Sequence, residues 1–452
     1  MKLRLPHPLL LLLAGVAVAA ALTWLLPAGE FDRREDAATG RDVVVAGTYR
    51  PVPAAPVGLF AMAVAIPAGL VEAGDVVAVI LFVGGAWVIV DKLGTLSRLV
   101  AVLVALIGGS RALAIPVVSL FFGSMGALEN MQEEIIPLVP VLLLLGRRLG
   151  VDATTAVAMS AGAAMVGSAY GPTNPFQAGI AMKLAQLPPL SGGGVRVAMF
   201  VVGMAVWIAW TMRYASRGAA AAAAPAWPNE TGGPSGGPTV AARATGRDLA
   251  IISFMLLPMG AYVYGALALG WGFNELSAGF FVGAIAAGLV GGLGAGGTMT
   301  AYIEGMQALL PSALMVGVTR SISLVLSDGH VIDTILHALA TPLASAPTAA
   351  AALLMIPFHA LLHIPVPSVS GQAVLTMPLL VPLSDLLGLS RQVTVVAYQI
   401  GAGLTELLTP TNGALMAILL AAGVPFGRWV RFAIVGVLIV GVVGVGGMFL
   451  MW

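Results

Sequence analysis

Two short polar stretches hold residues that could bind a solute inside an otherwise apolar chain. Residues 171–175 read Gly-Pro-Thr-Asn-Pro and residues 409–413 read Thr-Pro-Thr-Asn-Gly, so both contain Pro-Thr-Asn, 238 positions apart. Proline and glycine interrupt a helix there and leave backbone carbonyl and amide groups without helical partners. At membrane depth such groups are tolerated only where they line an enclosed cavity. Paired interruptions in two halves of a membrane protein therefore predict a transport site built from two broken helices.

The composition places the chain in a lipid bilayer. Apolar residues make up 59% of the 452 residues and charged residues 9%, whereas about 25% of residues are charged in soluble proteins. This length can hold about ten spans of roughly 20 residues, and we predict an all-α, polytopic membrane protein. A net charge of +1 gives no reason to expect a nucleic-acid partner. The absence of cysteine excludes disulfides, thiolate metal sites and a cysteine nucleophile.

Charges near the N-terminus and in the middle of the chain predict its orientation. Residues 1–56 are predicted to form a first transmembrane helix, from about Pro8 to Pro27, and an extracytoplasmic loop, because Lys2 and Arg4 hold the N-terminus in the cytoplasm. The helix is retained, since its apolar run of about 20 residues exceeds a signal-peptide core of about 7–15. Residues 214–247 are rich in Ala, Gly and Pro and carry excess Arg, which predicts a flexible cytoplasmic linker.

The segments on either side of the linker form two related series. Three pairs of residues keep a spacing of 238: Pro140 with Pro378, Gly150 with Gly388, and Asn174 with Asn412. We predict repeat 1 at 57–213, two connecting transmembrane helices at 248–298, and repeat 2 at 299–452. Repeat 1 begins outside and ends inside, and two crossings return the chain to the inside, so repeat 2 has inverted topology. Inverted repeats place binding sites at their interface near the bilayer midplane.

A polar patch at 129–134 (Glu-Asn-Met-Gln-Glu-Glu) lies between the apolar segments 112–128 and 135–149. A single spanning helix would not carry this patch at mid-membrane, because charged groups are costly there. A re-entrant hairpin with its tip at the patch is the more favourable arrangement.

Several local sequences carry a resemblance that covers nearly the whole chain apart from the linker. They are Pro-Ala-Gly-Glu-Phe-Asp at 27–32, the stretch 123–134 with its paired glutamates, Asn-Pro-Phe at 174–176 followed by Gly-Ile-Ala at 179–181, Ser-Val-Ser-Gly-Gln at 368–372, Met-Pro at 377–378, and Pro-Thr-Asn at 410–412. Together they are similar to the YfcC group of anaerobic dicarboxylate-carrier-like proteins, within the ion transporter superfamily. Other superfamily members carry Ser-Asn-Thr at both hairpin tips, from which this chain departs.

The resemblance implies the architecture of an inverted-repeat secondary transporter, in which each repeat has one re-entrant hairpin and one broken helix. By resemblance the hairpin tips are 129–134 and 367–372, and the broken helices are interrupted at 171–175 and 409–413. The same resemblance implies a homodimer, and a bacterial-type cytoplasmic membrane is the expected location. The family spans dicarboxylate carriers and exchangers of basic amino acids.

These elements define the candidate site and leave alternatives open. The predicted substrate- or ion-binding residues are Glu129, Asn130, Glu133, Glu134, Thr173, Asn174, Ser368, Ser370, Gly371, Glu406, Thr411 and Asn412. The two asparagines either ligate a coupling sodium ion or only cap the helices that follow them. The two serines either bind substrate or bond back to helix carbonyls. The glutamates of the first tip either take part in function or lie at a shallow, hydrated tip.

The predicted function is secondary transport. The few histidines supply no convincing catalytic set for an intramembrane enzyme, and internally paired breaks differ from the filter of a symmetric channel. His359 and His363 have a metal-ligand spacing, but no glutamate stands between them and no metal site is predicted. Without a nucleotide-binding motif or a cofactor, the driving force is exchange or a gradient of sodium or protons. We expect an elevator in which hairpins and broken helices move together, with glycine-rich helices at 276–297 and 432–450 as scaffold or sliding surfaces.

Charge favours one substrate class over another. The glutamates at 129, 133, 134 and 406 surround the site elements, while the nearest basic residue in sequence is Lys183. A dicarboxylate usually calls for Arg or Lys. The sequence therefore favours a substrate with one carboxylate and a cationic group, such as a basic amino acid, and a dicarboxylate stays the alternative.

Overall fold

The computed structural model describes residues 8–37, 41–96, 98–99, 102, 110–172, 174–188, 190–221, 244–269 and 271–452. This part of the chain is mostly helical. The helices are α1 Pro8–Leu25, α2 Leu59–Glu72, α3 Gly74–Lys92, α4 Arg111–Glu129, α5 Val139–Leu149, α6 Ala153–Val157, α7 Ala163–Tyr170, α8 Ile180–Leu184, α9 Gly193–Ala221, α10 Gly246–Ala268, α11 Phe273–Val290, α12 Gly294–Asp328, α13 Ile332–Ala344, α14 Thr348–Leu362, α15 Val369–Leu386, α16 Arg391–Tyr398, α17 Gly413–Ala421 and α18 Phe426–Phe449.

Seven helices of the described part are long and apolar enough to cross a bilayer. They lie at Gly74–Lys92, Arg111–Leu128, Gly193–Arg217, Phe273–Val290, Gly294–Asp328, Val369–Leu386 and Phe426–Phe449. Shorter apolar helices, including α1 and α14, accompany them. The prediction of an all-α, multi-pass membrane protein is confirmed.

The helices pack in two groups. The long-helix bundle contains α1, α2, α3, α10, α11 and α12, and the hairpin bundle contains α4 to α9 and α13 to α18. The two groups meet where α12 packs on α17, and where α3 packs on a 3-10 turn at Glu133–Leu138.

Glycines allow close helix contacts within both bundles. In the long-helix bundle, a Cβ added at Gly305 of α12 would lie 2.7 Å from the Cα of Gly85 in α3. In the hairpin bundle, a Cβ added at Gly167 of α7 would lie 2.0 Å from the carbonyl oxygen of Gly123 in α4. Small residues are typical of membrane helix contacts, because lipid supplies no hydrophobic force that drives helices together.

The two repeats contain the same elements in the same order. Each has a helical hairpin (α4 with α5, and α14 with α15), a helix containing a π-helical turn, an interruption, and a long final helix (α9 or α18). The matched Gly150 and Gly388 follow the hairpins with φ of 66° and 68°, a conformation that glycine adopts without strain. The described part has three π-helical turns, at Ala158–Gly162, Pro175–Gly179 and Gln399–Gly403, which were not predicted from the sequence. The turn at Pro175–Gly179 differs from its counterpart in repeat 2, where the α-helix α17 begins directly at Gly413.

Two predicted boundaries differ from the structure. Helix α9 continues to Ala221, into the predicted linker 214–247, because its alanine run has high helix propensity. Linker residues 222–243 lie outside the described part. Residues 276–297 are not one helix, since α11 ends at Val290 and Gly292 follows in a turn with φ of 82°. Helix α18 packs on α9, α16 and α17 within the hairpin bundle, and the role of 432–450 as a scaffold or sliding surface stays a prediction.

The loop predicted at 28–56 contains two short antiparallel ladders. Strand β1 (Gly29–Glu30) pairs with β4 (Arg50–Pro51), and β2 (Arg33–Asp36) pairs with β3 (Arg41–Val44). The loop is fixed on α13, where the Asp333 carboxylate accepts a hydrogen bond from the Phe31 amide at 2.9 Å. The same Asp333 carboxylate forms a salt bridge with the Arg33 guanidinium at 2.8 Å.

Candidate functional site

A cavity of about 750 Å³ lies where the hairpin tips face the long-helix bundle. Eight of the predicted residues line it: Asn130, Glu133, Glu134, Ser368, Ser370, Gly371, Glu406 and Asn412. The opposite wall comes from the junction of α2 with α3 and from one face of α12. The structure therefore brings together both hairpin tips and the second broken helix.

The first hairpin tip turns at Asn130, which has a left-handed φ of 61°. Asparagine adopts this conformation more readily than most residues. Beyond the turn, the Gln132 backbone amide donates to Glu134 Oε2 at 3.0 Å. The Gln132 side-chain amide donates to Glu406 Oε2 at 2.7 Å. Gln132 thus joins the first hairpin tip to the second broken helix.

Asn412 uses the two ends of its side chain differently. Its Oδ1 accepts a hydrogen bond from the Leu415 amide at 3.0 Å and so caps α17. Its Nδ2 makes long contacts, of 3.5 Å to Gln132 Oε1 and 3.4 Å to the Glu406 carbonyl oxygen. The cap therefore occupies the oxygen, while the amide nitrogen belongs to the polar wall of the cavity.

Asn174 makes a matching cap but lies behind the cavity wall. Its Oδ1 accepts from the amides of Phe176 and Gln177, both at 2.9 Å. Its Nδ2 donates to Ser168 Oγ at 2.9 Å and to Asn130 Oδ1 at 3.1 Å. The Asn174 side chain is fully buried, and it supports Asn130, which does line the cavity.

The second hairpin tip begins α15 with a serine cap. Ser368 Oγ accepts a hydrogen bond from the Gly371 amide at 3.2 Å. Ser370 also lines the cavity, and its hydroxyl has no hydrogen-bond partner within the described part of the chain. One serine thus shapes the tip, and the other presents a free hydroxyl to the cavity.

Behind the second tip, the Gln372 side chain binds two buried histidines. Its Nε2 donates to the His359 carbonyl oxygen at 2.8 Å and lies 3.2 Å from His359 Nδ1. Its Oε1 lies 2.9 Å from His363 Nδ1. The histidines therefore hold Gln372 and the start of α15 in place. Among the described residues, no three His, Cys, Asp or Glu side chains form a group that could hold a metal.

The remaining predicted residues lie elsewhere. Thr411 Oγ1 donates to the Ile364 carbonyl oxygen at 2.7 Å and ties the second broken helix to the second hairpin. It is not among the residues that line the cavity. Thr173 and the side chain of Glu129 lie outside the described part of the structure.

The cavity also contains charged residues that sequence reasoning missed. Arg320 of α12 pairs with Glu72 at the end of α2, and Asp75 at the start of α3 also lines the cavity. A charged residue inside the long apolar run of α12 was the available signal, because intramembrane charges are rare and functional by default. Lys183 is the basic residue nearest to the site elements in sequence, but Arg320, which is distant in sequence, is the basic residue of the described lining.

Carboxylates predominate on the cavity wall. The acidic residues of the described lining are Glu72, Asp75, Glu133, Glu134 and Glu406, and Arg320 is its one basic residue. Glu134 and Glu406 are buried, at 3% and 4% exposure. The hairpin side of the cavity therefore carries three carboxylates, and the opposite side carries Glu72 and Asp75 together with the one guanidinium.

A multi-pass helical chain with two hairpins and two broken helices around a polar cavity has the form of a membrane transporter. The family model described as "C4-dicarboxylate anaerobic carrier" (DcuC) matches residues 5–452. The chain belongs to this family.

Two proteins are similar to the chain in sequence. One is 32% identical over 374 residues, covering 79% of this chain and 74% of the other, and is named "Putative basic amino acid antiporter YfcC", from Escherichia coli (strain K12). The other is an uncharacterized protein of Haemophilus influenzae, 27% identical over 87% of this chain and 78% of its own.

Two solved transporter structures are similar at low TM-scores. The YdaH transporter of Alcanivorax borkumensis aligns over 99% of this chain and 98% of its own, with a TM-score of 0.43 and 16% identity. MtrF of Neisseria gonorrhoeae, described within a class of antimetabolite efflux pumps, aligns over 99% and 95%, with a TM-score of 0.42 and 16% identity.

Proposed function

We propose that this membrane transporter is a secondary active transporter of a small metabolite with a carboxylate and a cationic group, with a basic amino acid favoured. The observation that carries the proposal is the acidic wall of the cavity, where Glu133, Glu134 and Glu406 stand close to the hairpin tips. Buried carboxylates need a cationic partner or a proton. An ammonium or guanidinium group of a substrate supplies that partner.

A dicarboxylate is the second candidate, and two observations favour it. The family description names C4-dicarboxylates, and Arg320 gives the cavity one group suited to a carboxylate. The name of the Escherichia coli relative supports a basic amino acid instead. Five carboxylates against one guanidinium make the cavity a poor match for a dianion, so the basic amino acid remains the proposal.

The driving force is exchange or a coupled gradient of sodium or protons. Glu406, Glu133 and the side-chain oxygens of the hairpin tips are the groups that would take up a coupling cation or proton. Uptake into proteoliposomes, with sodium and proton gradients imposed separately, tests this. Labelled arginine and ornithine should compete with each other, and succinate and fumarate should not inhibit them. Saturable dicarboxylate uptake without inhibition by basic amino acids would show that the substrate proposal is wrong.

We also propose that the hairpin bundle moves as one body against the long-helix bundle, as in an elevator. The support is the division of the helices into two groups that pack mainly within themselves, apart from α17, which packs most extensively on α12. A homodimer, expected from the resemblance, would hold the long-helix bundles of two copies fixed in the membrane. Measurement of the mass of the purified protein in detergent tests whether the homodimer forms.

A cross-link between the bundles tests the elevator. Ser323 Oγ of α12 lies 3.4 Å from the carbonyl oxygen of Pro365, next to Val366 of the second hairpin. Cysteines at 323 and 366, joined by a short bifunctional reagent, should stop transport. Cysteines at 92 and 304 are the matched control, because the Lys92–Glu304 pair joins two helices of the same bundle. Each single-cysteine variant, treated alike, controls for blockage of the cavity. Full turnover by the cross-linked 323/366 protein would contradict the elevator.

A further inference from the structure

Arg320 lies on the face of α12 that meets the hairpin bundle. A Cβ added at Gly413, the first residue of α17, would lie 3.0 Å from Val316 Cα and 3.2 Å from Thr319 Oγ1. One turn further, Ser323 contacts the second hairpin at Pro365. Residues three and four apart share a helix face. Arg320, within this stretch and in the cavity lining, therefore stands opposite the hairpin tips.

The guanidinium of Arg320 is only partly engaged. Its Nη2 pairs with the Glu72 carboxylate, and no other hydrogen bond of Arg320 is found in the described part of the chain. The Arg320 and Glu72 side chains are 43% and 40% exposed, so both heads can be reached from the cavity. Since a guanidinium has five N–H donors, Arg320 can bind a second carboxylate while it keeps Glu72.

Helix packing does not require this ion pair. A Cβ added at Gly69 of α2 would lie 2.4 Å from the Gly317 carbonyl oxygen of α12, so these helices already touch one turn away from the pair. Exposed ion pairs also contribute little to stability. A purely structural role thus leaves the position of Arg320 in the cavity without a reason.

The cavity has groups for both ends of a bipolar solute. The hairpin side presents Glu133, Glu134 and Glu406. The opposite side presents Arg320 together with Glu72, its ion-pair partner, and Asp75, so within the described lining Arg320 is the one group that suits a carboxylate. A basic amino acid has cationic groups for the first side and one carboxylate for the second. Its decarboxylated amine keeps the cations but has nothing to offer the guanidinium.

We propose that Arg320 binds the substrate carboxylate and selects the intact amino acid over the corresponding amine. This inference rests on the proposed substrate class. The selection has two physical parts. The guanidinium forms charge-assisted hydrogen bonds with a carboxylate, and it repels an amine that lacks one.

Competition by ornithine and by putrescine, its decarboxylated form, tests the inference in proteoliposomes. In the wild-type protein, ornithine should inhibit the uptake of labelled arginine much more strongly than putrescine does. Arg320→Gln should weaken ornithine competition about 10- to 100-fold, as for loss of a hydrogen bond to a charged group, while putrescine competes as well as before or better. Lys92→Gln is the matched control, since it breaks another ion pair to α12 outside the cavity lining, and it should leave the ratio unchanged.

A folded Arg320→Gln protein with the wild-type ratio of ornithine to putrescine would overturn the inference. The Glu72→Gln variant tests the inference independently of Arg320→Gln. It removes the ion-pair partner of Arg320 and should therefore shift the ratio further toward ornithine. An unchanged ratio in Glu72→Gln would also count against the inference. If the wild-type protein carries only dicarboxylates, the proposed substrate fails instead. Succinate against its monoamide then tests the carboxylate contact of Arg320 alone.

Discussion

The side chain of Asn412 serves both helix geometry and the cavity. Its oxygen caps α17 through the Leu415 amide, and its nitrogen faces Gln132 and the Glu406 carbonyl. The capping and binding interpretations are therefore compatible at this residue, because they concern different atoms. They can be separated by a substitution that changes one end only.

Asn412→Asp keeps the capping oxygen and removes the amide nitrogen, whereas Asn412→Ala removes both. We expect the alanine variant to lose about 1 kcal/mol of stability from the cap, and the aspartate variant to keep it. Both should lose most uptake, because both lack the nitrogen at the cavity. Thermal unfolding in detergent and proteoliposome uptake measure the two effects. Near-normal uptake by Asn412→Asp would leave capping as the only role of the side chain.

The histidine pair behind the second hairpin has tautomers that follow from its partners. The Gln372 Nε2 faces the His359 carbonyl, which can only accept, so this end of the amide is the donor. His359 Nδ1, at 3.2 Å from the same nitrogen, must then accept. His363 Nδ1, at 2.9 Å from the Gln372 oxygen, must donate. Neutral rings thus carry hydrogen on Nε2 of His359 and on Nδ1 of His363.

Nitrogen-15 solid-state NMR can check this assignment. In the wild-type protein we expect opposite tautomers at the two positions, identified by His359→Asn and His363→Asn variants. In Gln372→Glu, which has no donor, His359 should change to the Nδ1-protonated form while His363 stays as it is. The same tautomer at both histidines of the wild-type protein would contradict the hydrogen-bond geometry.

At the residue scale, local sequence predicted polar groups well and their partners poorly. Asn130, Glu133 and Ser368 were predicted because each interrupts an apolar run. Arg320 was not, because it comes from a helix that reaches the cavity only through packing. The Thr411 hydroxyl was expected in the site but donates to Ile364, a partner 47 positions away that no local pattern shows.

At the scale of elements, the contact of α4 with α7 supports the first half of the site. Gly123, Gly126 and Gly167 let these helices approach, and Ser168 follows directly with its hydrogen bonds to Asn130 and Asn174. The position of the hairpin tip therefore depends on direct backbone contact between α4 and α7. An added side chain at this contact would meet backbone atoms, which cannot rotate out of the way.

Gly167→Ala should destabilise the protein, because the added Cβ would lie 2.0 Å from the Gly123 carbonyl oxygen. We expect a loss of about 1–3 kcal/mol, as for other overpacked positions, together with reduced uptake. Gly446→Ala in α18 is the matched control, since no atom lies within 4 Å of the added Cβ, and it should be neutral. Thermal unfolding compares the two variants. Equal stability of the two variants would mean that α4 and α7 can move apart to accommodate the added Cβ without loss of stability.

The ends of secondary-structure elements were predictable where a single residue determines the backbone conformation. Gly150 and Gly388 mark the same turn in both repeats, as their spacing predicted. The π turns at 158–162 and 399–403 were not predicted, because no local sequence pattern marks them; such turns are frequent at functional sites. The extension of α9 was missed because an alanine run fits both a helix and a linker by composition.

At the scale of the whole molecule, the orientation in the membrane is still a prediction from charge and parity. The absence of cysteine makes it simple to test. Ala46, in the loop after β3, and Ser216, near the end of α9, are both exposed. An impermeant maleimide should label Ala46→Cys in intact cells, and Ser216→Cys only after permeabilisation. Labelling of Ser216→Cys in intact cells would reverse the predicted orientation.

The two repeats differ at their hairpin tips, and in the proposed elevator this difference affects the kinetics of the transport cycle. If the two repeats were chemically identical, the inward-facing and outward-facing forms would be mirror equivalents of equal free energy. Here the first tip carries Glu129, Glu133 and Glu134, and the second carries Ser368 and Ser370, so we expect that degeneracy to be broken. One form should then be favoured at rest, and the empty carrier should return at different rates in the two directions. The final accumulation ratio is unaffected, because the imposed gradients alone determine it.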